Sequence, residues 1–156
     1  MSLREPVELL GPSTIGPVHF IAIGGAGMSG VARIYHDMGV DVRGSDQVDS
    51  ANLRDLAAAG VQTWVGHDPA HLAGARTVVV SSAIRPDNPE LVEANRLGLR
   101  VWHRSAALAA LMLGREGVSI AGTHGKTPPT GMVAPMLDHA GADPSYVIGS
   151  PQASPG

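Results

Sequence analysis

The apolar run Val18-His19-Phe20-Ile21-Ala22-Ile23 passes directly into Gly24-Gly25-Ala26-Gly27-Met28-Ser29-Gly30. A strand is expected over residues 18–23 and a helix over 28–38, with a glycine turn between them. No other feature narrows the fold as much. Glycines at 24, 25 and 27 let the chain turn tightly and bring its backbone close to a bound group. The helix that follows aims free N–H groups and the positive end of its dipole at the same place. Such a junction suits an anion, a diphosphate above all. The plain alternative is a tight strand-to-helix turn with no ligand.

The alternation continues along the chain. Residues 40–44 read as a second strand ending at Ser45-Asp46, and 52–59 as a helix stopped by Gly60. Residues 62–65 read as a short strand, 69–72 as a helical turn, and 77–80 as a β-branched strand buried on both faces. A loop is expected at 81–84, then a helix over 89–97 with Pro89 in its first turn and Gly98 past its end. A strand over 99–102, a helix over 105–113 capped by Ser105, and a last strand over 118–121 complete the series. Strands and helices in alternation imply right-handed crossovers and an open, parallel, Rossmann-like α/β sheet with helices on both faces. Ligands of such sheets sit at the carboxyl ends of the strands. That singles out residues 24–30, 45–46, 66–68, 81–84 and 103–104. The expected organisation is an extension over 1–16, a Rossmann-like domain over 17–114, a link near 114–117, and the start of a second unit over 115–156. The tail from Ser150 onward lacks periodicity and reads as disordered.

A hydrophobic fraction of 44% with only 3% aromatic residues demands a core of Ala, Val, Leu and Ile, which suits a parallel sheet better than a β-sandwich. A net charge of −3 gives no electrostatic ground for a nucleic-acid or anionic-membrane partner. No apolar run approaches a membrane span, and residues 1–17 show no leader, so a cytoplasmic location is expected. With no cysteine there is no disulfide, thiolate metal site or cysteine nucleophile. His67 and His71 stand at i and i+4, but not in the glutamate-containing pattern of a metalloprotease.

A nicotinamide dinucleotide on the first turn predicts an acid at the end of the second strand, about twenty residues on. Asp46 stands there. Such a carboxylate binds ribose hydroxyls, and NAD, FAD and UDP-sugars all offer a ribose and a diphosphate. A solvated loop carboxylate or a local cap is the alternative. A second glycine turn, Gly122-Thr123-His124-Gly125-Lys126-Thr127, matches the short phosphate loop G-x-x-G-K-T. Its parts are a backbone nest, a lysine for the β- and γ-phosphates, and a hydroxyl for Mg²⁺. An ATP site beside a diphosphate-sugar site points to a ligase or kinase rather than an oxidoreductase. Pro128 and Pro129 follow the loop. They lack the amides that grip phosphate and restrict the residues before them, and Pro135 falls inside the same expected helix. A displaced or kinked helix and weak ATP affinity are expected.

Together these residues resemble the Mur ligase family. Residues 18–30 are similar to its amino-terminal UDP-sugar turn. Gly44-Ser45-Asp46, Gly66-His67, Ser81-Ser82-Ala83-Ile84 and Ala121-Gly122-Thr123-His124-Gly125-Lys126-Thr127 recur in the family's order and spacing. The resemblance covers residues 16–150 and is strongest to the branch that joins L-alanine to UDP-N-acetylmuramate; the branch that reattaches recycled tripeptide shares most motifs. It implies ATP-dependent amide formation through an acyl phosphate, with ATP and Mg²⁺ as cofactors. Carried over by position, Gly25, Ala26, Gly27, Met28, Ser29 and Gly30 would cradle the UDP diphosphate, and Ser45 and Asp46 would contact the uridine part. His67, Ser81, Ser82 and Ala83, with Ile84, would line the sugar-nucleotide cleft. Gly122, Thr123, His124, Gly125, Lys126 and Thr127 would hold ATP, with Lys126 and Thr127 catalytic and Thr127 the magnesium ligand. The resemblance also implies that this chain supplies the UDP-sugar-binding part and the beginning of the ATP-binding domain, and is catalytically incomplete alone. It departs from the family at Pro128-Pro129, where members carry threonines and serines. A nicotinamide-dependent Rossmann protein and a non-catalytic nucleotide-binding module remain open on the residues alone.

Overall fold

Among the described residues five strands form one fully parallel sheet in the order β3-β2-β1-β4-β5. They are β1 Val18–Ile21, β2 Val42–Asp46, β3 Gln62–Val65, β4 Thr77–Val80 and β5 Arg100–His103. The helices between them are α1 Ala26–Asp37, α2 Ala51–Ala58, α3 Pro89–Arg96 and α4 Arg104–Leu111, with a 3₁₀ turn at Pro69–Leu72 after β3. The structure, a computed structural model, describes residues 7–114 and residue 139. The chain divides into two units, Met1–Arg115 and Glu116–Gly156. The glycine turn at 122–127, Pro128, Pro129, Pro135 and the tail lie outside the described residues.

The chain begins at the centre of the sheet, winds outward to β3, then returns past β1 to β4. The β1–β4 junction is therefore where the winding reverses, the crevice position at which open parallel sheets hold ligands, outside the carboxyl ends of their strands. Register fixes which side chains share a face. Ile21 pairs with Ser45, and Ser45 with Trp64, so His19, Ile21, Ser45 and Trp64 lie on one face. That face holds the apolar cluster Ile21, Leu72, Val78, Val80 and Ala94, covered by α3 and the 3₁₀ turn. The opposite face is covered by α1, which packs against both α2 and α4. There Phe20 meets Tyr35 at 6.2 Å between ring centroids, and the Tyr35 hydroxyl donates to Ala107 O at 2.8 Å. Every residue of β4 is buried, as its β-branched run predicts.

Several boundaries differ from the sequence expectation for local physical reasons. β1 ends at Ile21 rather than residue 23 because Ala22 takes φ +62°, a left-handed conformation that stops an extended chain. Ile23 then folds back over β2, donating its N–H to Ser45 O at 3.0 Å. Only glycine fits beneath it: a Cβ on Gly44 would lie 2.6 Å from Phe20 O and 2.7 Å from Ile23 Cδ1. α1 starts at Ala26 rather than residue 28, since the Met28 and Ser29 N–H groups both close on Gly25 O, at 2.9 and 2.8 Å. β2 reaches Asp46 because Ser45 and Asp46 pair with Trp64 and Val65. α2 does end before Gly60, whose φ of +99° suits glycine alone. α4 is capped by His103, not by Ser105: its Nδ1 accepts the Ser105 N–H at 3.3 Å and lies 2.8 Å from Ser105 Oγ.

Candidate functional site

The glycine turn is braced from the side by β2 and α2. Gly24 N–H donates to Asp46 Oδ2 at 2.9 Å, while Asp46 Oδ1 accepts the Val48 N–H at 3.0 Å. Asn52 Nδ2 donates to Gly24 O at 2.9 Å. Ser50 caps α2 by accepting the Leu53 N–H at 3.2 Å. These contacts leave no room on Gly24, where a Cβ would stand 2.6 Å from Ser50 Oγ and 2.9 Å from Asp46 Oδ2.

At the start of α1 the backbone is left open. Gly25, its N-cap, brings no side chain to the helix end. The Met28 and Ser29 amides are satisfied by Gly25 O, but those of Ala26 and Gly27 have no acceptor among the described residues. Above them lies Arg104, the first residue of α4. A Cβ built on Gly27 would collide with Arg104 Nη1 and lie 3.3 Å from its Cζ. Among the described residues the Arg104 guanidinium has neither an ion pair nor a hydrogen bond. Two free amides, a helix N-terminus and an unpaired cation thus converge on one spot, an arrangement suited to a multiply charged oxyanion.

Beneath the β2–β3 end of the crevice lies a buried carboxylate. Glu90, the second residue of α3, is wholly inaccessible, and five groups surround it. Ser45 Oγ donates to its Oε2 at 2.5 Å; His67 Nδ1 stands 3.1 Å and His19 Nε2 3.4 Å from the same oxygen. His71 Nδ1 donates to Oε1 at 2.8 Å. The Asp68 N–H stands 3.3 Å from His71 Nδ1 and 3.4 Å from Glu90 Oε1. With the Nδ1 proton of His71 on the carboxylate, Glu90 Oε1 is the acceptor left to that amide. Trp64 stacks on His71 at 4.4 Å between centroids, 13° from parallel. Burial pushes the Glu90 carboxyl up, but His19, Ser45 and His71 together outweigh it and hold the pKa at about 2. The first turn of α3 adds a favourable dipole. Among the described residues no group of three or more His, Asp and Glu is arranged to hold a metal ion.

The structure brings most of the sequence-derived candidates to the carboxyl ends of the strands, but in different states. Gly25 and Ala26 are exposed, and Gly27, Ser29 and Gly30 partly so. Met28 is buried and packs into the core. Asp46 faces the glycine turn. Ser45 is turned inward, its side chain committed to Glu90 and His67. His67 bonds to Ser45 Oγ at 2.9 Å and to Glu90 rather than to Asp68, whose carboxylate accepts the Ala70 N–H. Ser81, Ser82 and Ala83 form an accessible turn beyond β4, closed by the Ile84 N–H to Ser81 O at 3.1 Å. Gly122, Thr123, His124, Gly125, Lys126 and Thr127 lie outside the described residues. Sequence reasoning did not single out Glu90, His71, His19 or Asn52. The i, i+4 pair His67 and His71 was the available signal; the carboxylate that serves them lies well downstream.

A family model described as "Mur ligase family, catalytic domain" matches residues 17–116. The chain is 88% identical over its whole length to a UDP-N-acetylmuramate–L-alanine ligase of Cutibacterium acnes, of which it covers 33%. It is 57% identical to the enzyme of the same name in Thermobifida fusca, over 96% of this chain and 32% of that one. The chain therefore spans about a third of the length of these curated relatives. Among solved structures, the UDP-N-acetylmuramate–alanine ligase of Thermotoga maritima superimposes with a TM-score of 0.75 at 32% identity, over 80% of this chain and 29% of that one. A ligase of Neisseria meningitides that joins UDP-N-acetylmuramate to L-alanyl-γ-D-glutamyl-meso-diaminopimelate superimposes with a TM-score of 0.78 at 31% identity, over 88% and 44%. Among the described residues no helix is long and apolar enough to cross a membrane.

Proposed function

We propose that this chain, which belongs to the Mur ligase family, is the part of a peptidoglycan-precursor ligase that binds UDP-N-acetylmuramate, and that the whole enzyme adds L-alanine to that sugar in an ATP-dependent reaction. The observation that carries the reading is the pair of amides, Ala26 and Gly27, beneath the Arg104 guanidinium, all three without a partner among the described residues. A diphosphate has oxygens for all three donors, and charge-assisted hydrogen bonds of this kind are the strong ones. Asp46 already accepts two backbone N–H bonds, yet a carboxylate has about four lone-pair sites and keeps capacity for a ribose hydroxyl. His67 and the Ser81–Ala83 turn supply further polar groups along the crevice.

Within this reading the described residues bind and orient rather than react. The turn and Arg104 anchor the diphosphate. ATP, held at Gly122, Thr123, His124, Gly125, Lys126 and Thr127 with Mg²⁺ on Thr127, would supply the phosphoryl group that activates the sugar's lactyl carboxylate for attack by the amino acid. The names of the 88% and 57% identical relatives favour L-alanine over a recycled tripeptide as the group added.

A calorimetric titration of the 156-residue chain with UDP-N-acetylmuramate tests the reading. Saturable binding in the micromolar range is expected. No heat from a sample whose circular dichroism shows it folded would overturn the assignment of the glycine turn, and NAD(H) would be titrated next.

A further inference from the structure

We infer that Glu90 is a positioning residue that fixes the tautomer of His67, so that the imidazole offers its Nε2 lone pair to a hydrogen-bond donor, a hydroxyl or imide N–H, on the bound nucleotide sugar. The ligand half of this inference rests on the reading of the crevice given above; the tautomer half does not.

The geometry requires a proton on His67 Nδ1. Ser45 Oγ lies 2.5 Å from Glu90 Oε2 and gives its proton to the carboxylate. His67 Nδ1 then stands 2.9 Å from a hydroxyl oxygen with no proton left to give and 3.1 Å from a carboxylate oxygen that has none. Both neighbours are acceptors, so Nδ1 must be the donor. A neutral imidazole with its proton on Nδ1 carries a lone pair on Nε2. No described residue hydrogen-bonds to Nε2, while the side chain keeps 13% exposure. With Nδ1 held on a fully buried carboxylate, the opposite edge is what the ring has left for solvent or ligand. Backbone geometry ties it to the strand end: His67 follows Gly66, whose N–H donates to the Asp46 backbone O at 2.8 Å, so the residue is tethered at the tip of β2. A buried hydrogen-bond partner that fixes the tautomer of a functional histidine is a recurring device, because the bond made by one ring nitrogen decides what the other can do.

The test has a ligand-free arm and a binding arm. Nitrogen-15 NMR of the histidine-labelled chain at pH 8 reads the tautomer directly. Nδ1–H at His67 is expected; Nε2–H would overturn the inference whatever the chain binds. This arm needs no variant, so it stands even if substitutions at Glu90 do not fold. In the binding arm, Glu90→Gln is expected to weaken UDP-N-acetylmuramate about tenfold in the native background, and by less than about twofold in a His67→Ala background, since a residue acting through His67 has nothing to act on there. Equal losses in both backgrounds would mean that Glu90 serves only the fold, and would overturn the positioning role. An Nδ1–H tautomer in a chain that binds no UDP-N-acetylmuramate would overturn the nucleotide-sugar reading and leave the Glu90–His67 link standing.

Discussion

Asp46 and Gly24 are joined across the tips of β2 and β1: the Gly24 N–H donates to Asp46 Oδ2 at 2.9 Å. The residue expected to greet the nucleotide thus also holds the shape of the turn that greets it. Asp46→Ala removes both jobs at once. It should destabilise the chain by about 1.5–3 kcal/mol in urea unfolding, the range for a hydrogen bond to a charged group, and weaken UDP-N-acetylmuramate at least about fivefold. Asp46→Asn keeps one acceptor oxygen and should lose less of both. Unchanged stability in Asp46→Ala would show that the turn does not depend on this bond.

Arg104 and Gly27 test the diphosphate reading from opposite sides. Arg104→Ala removes a cation from the mouth of the site and should lower affinity for UDP-N-acetylmuramate about tenfold, with a shallower dependence on salt. Gly27→Ala leaves the arginine present but places a methyl group where Nη1 now lies, and should reproduce much of that loss. Gly27→Val should abolish binding. Calorimetry at low and high salt distinguishes these outcomes; full affinity in Arg104→Ala would remove the guanidinium from the site.

Glu90 predicts an acid limit to stability. Its carboxyl falls from 4.5 to about 2 on folding. A group with a depressed folded pKa contributes its full stability above pH 4.5 and loses it as pH falls through about 2, here about 3 kcal/mol in all. The groups facing it are His19 from β1, Ser45 from β2, and His67, the Asp68 N–H and His71 from the segment after β3. Chemical denaturation at a series of pH values should show stability dropping across this window. In Glu90→Gln the drop should be absent and the plateau lower.

Tyr35 predicts the alkaline counterpart. Burial raises its phenol from 10.0 to about 12. The neutral, hydrogen-bonded form is the one favoured by folding, so its contribution is complete below pH 10 and fades as pH rises through about 12. Tyr35→Phe leaves Ala107 O without its partner and should cost about 1 kcal/mol at neutral pH. It should also remove the phenol's share of the alkaline loss, which unfolding at pH 9 and 12 would reveal.

What the sequence disclosed followed from local chemistry. β3 and β4 were legible to the residue because short β-branched or aromatic runs end against turn residues. Pro89 in the first turn of α3 follows a rule that acts within one turn. The misjudged boundaries needed information from elsewhere in the chain. Nothing in Ala22 announces a left-handed backbone; the packing of Ile23 over Gly44 imposes it. Serine outranks histidine as an expected helix cap, yet His103 has the better position. At the site, the glycine turn could be read because glycine is needed there for space and curvature. Glu90 could not. In sequence it is an ordinary first-turn acid, and its burial arises only when β1, β2 and the segment after β3 deliver His19, Ser45, His67 and His71 around it.

The middle of the sheet is also a seam between two halves. β1, β2, β3 and the glycine turn lie on one side, and β4, β5, α3 and α4 on the other. Backbone stitches it in the ladder Val18–Thr77, His19–Val78 and Phe20–Val79. Side chains stitch it where Glu90 reaches Ser45, where Arg104 overhangs Gly27, and where Tyr35 reaches Ala107. A molecule gripped by both the turn and Arg104 spans the same line, so its arrival fastens one half to the other. In mechanical terms the chain resembles a hinge-less clasp: pulled across the seam, the occupied form would resist a greater force than the empty one.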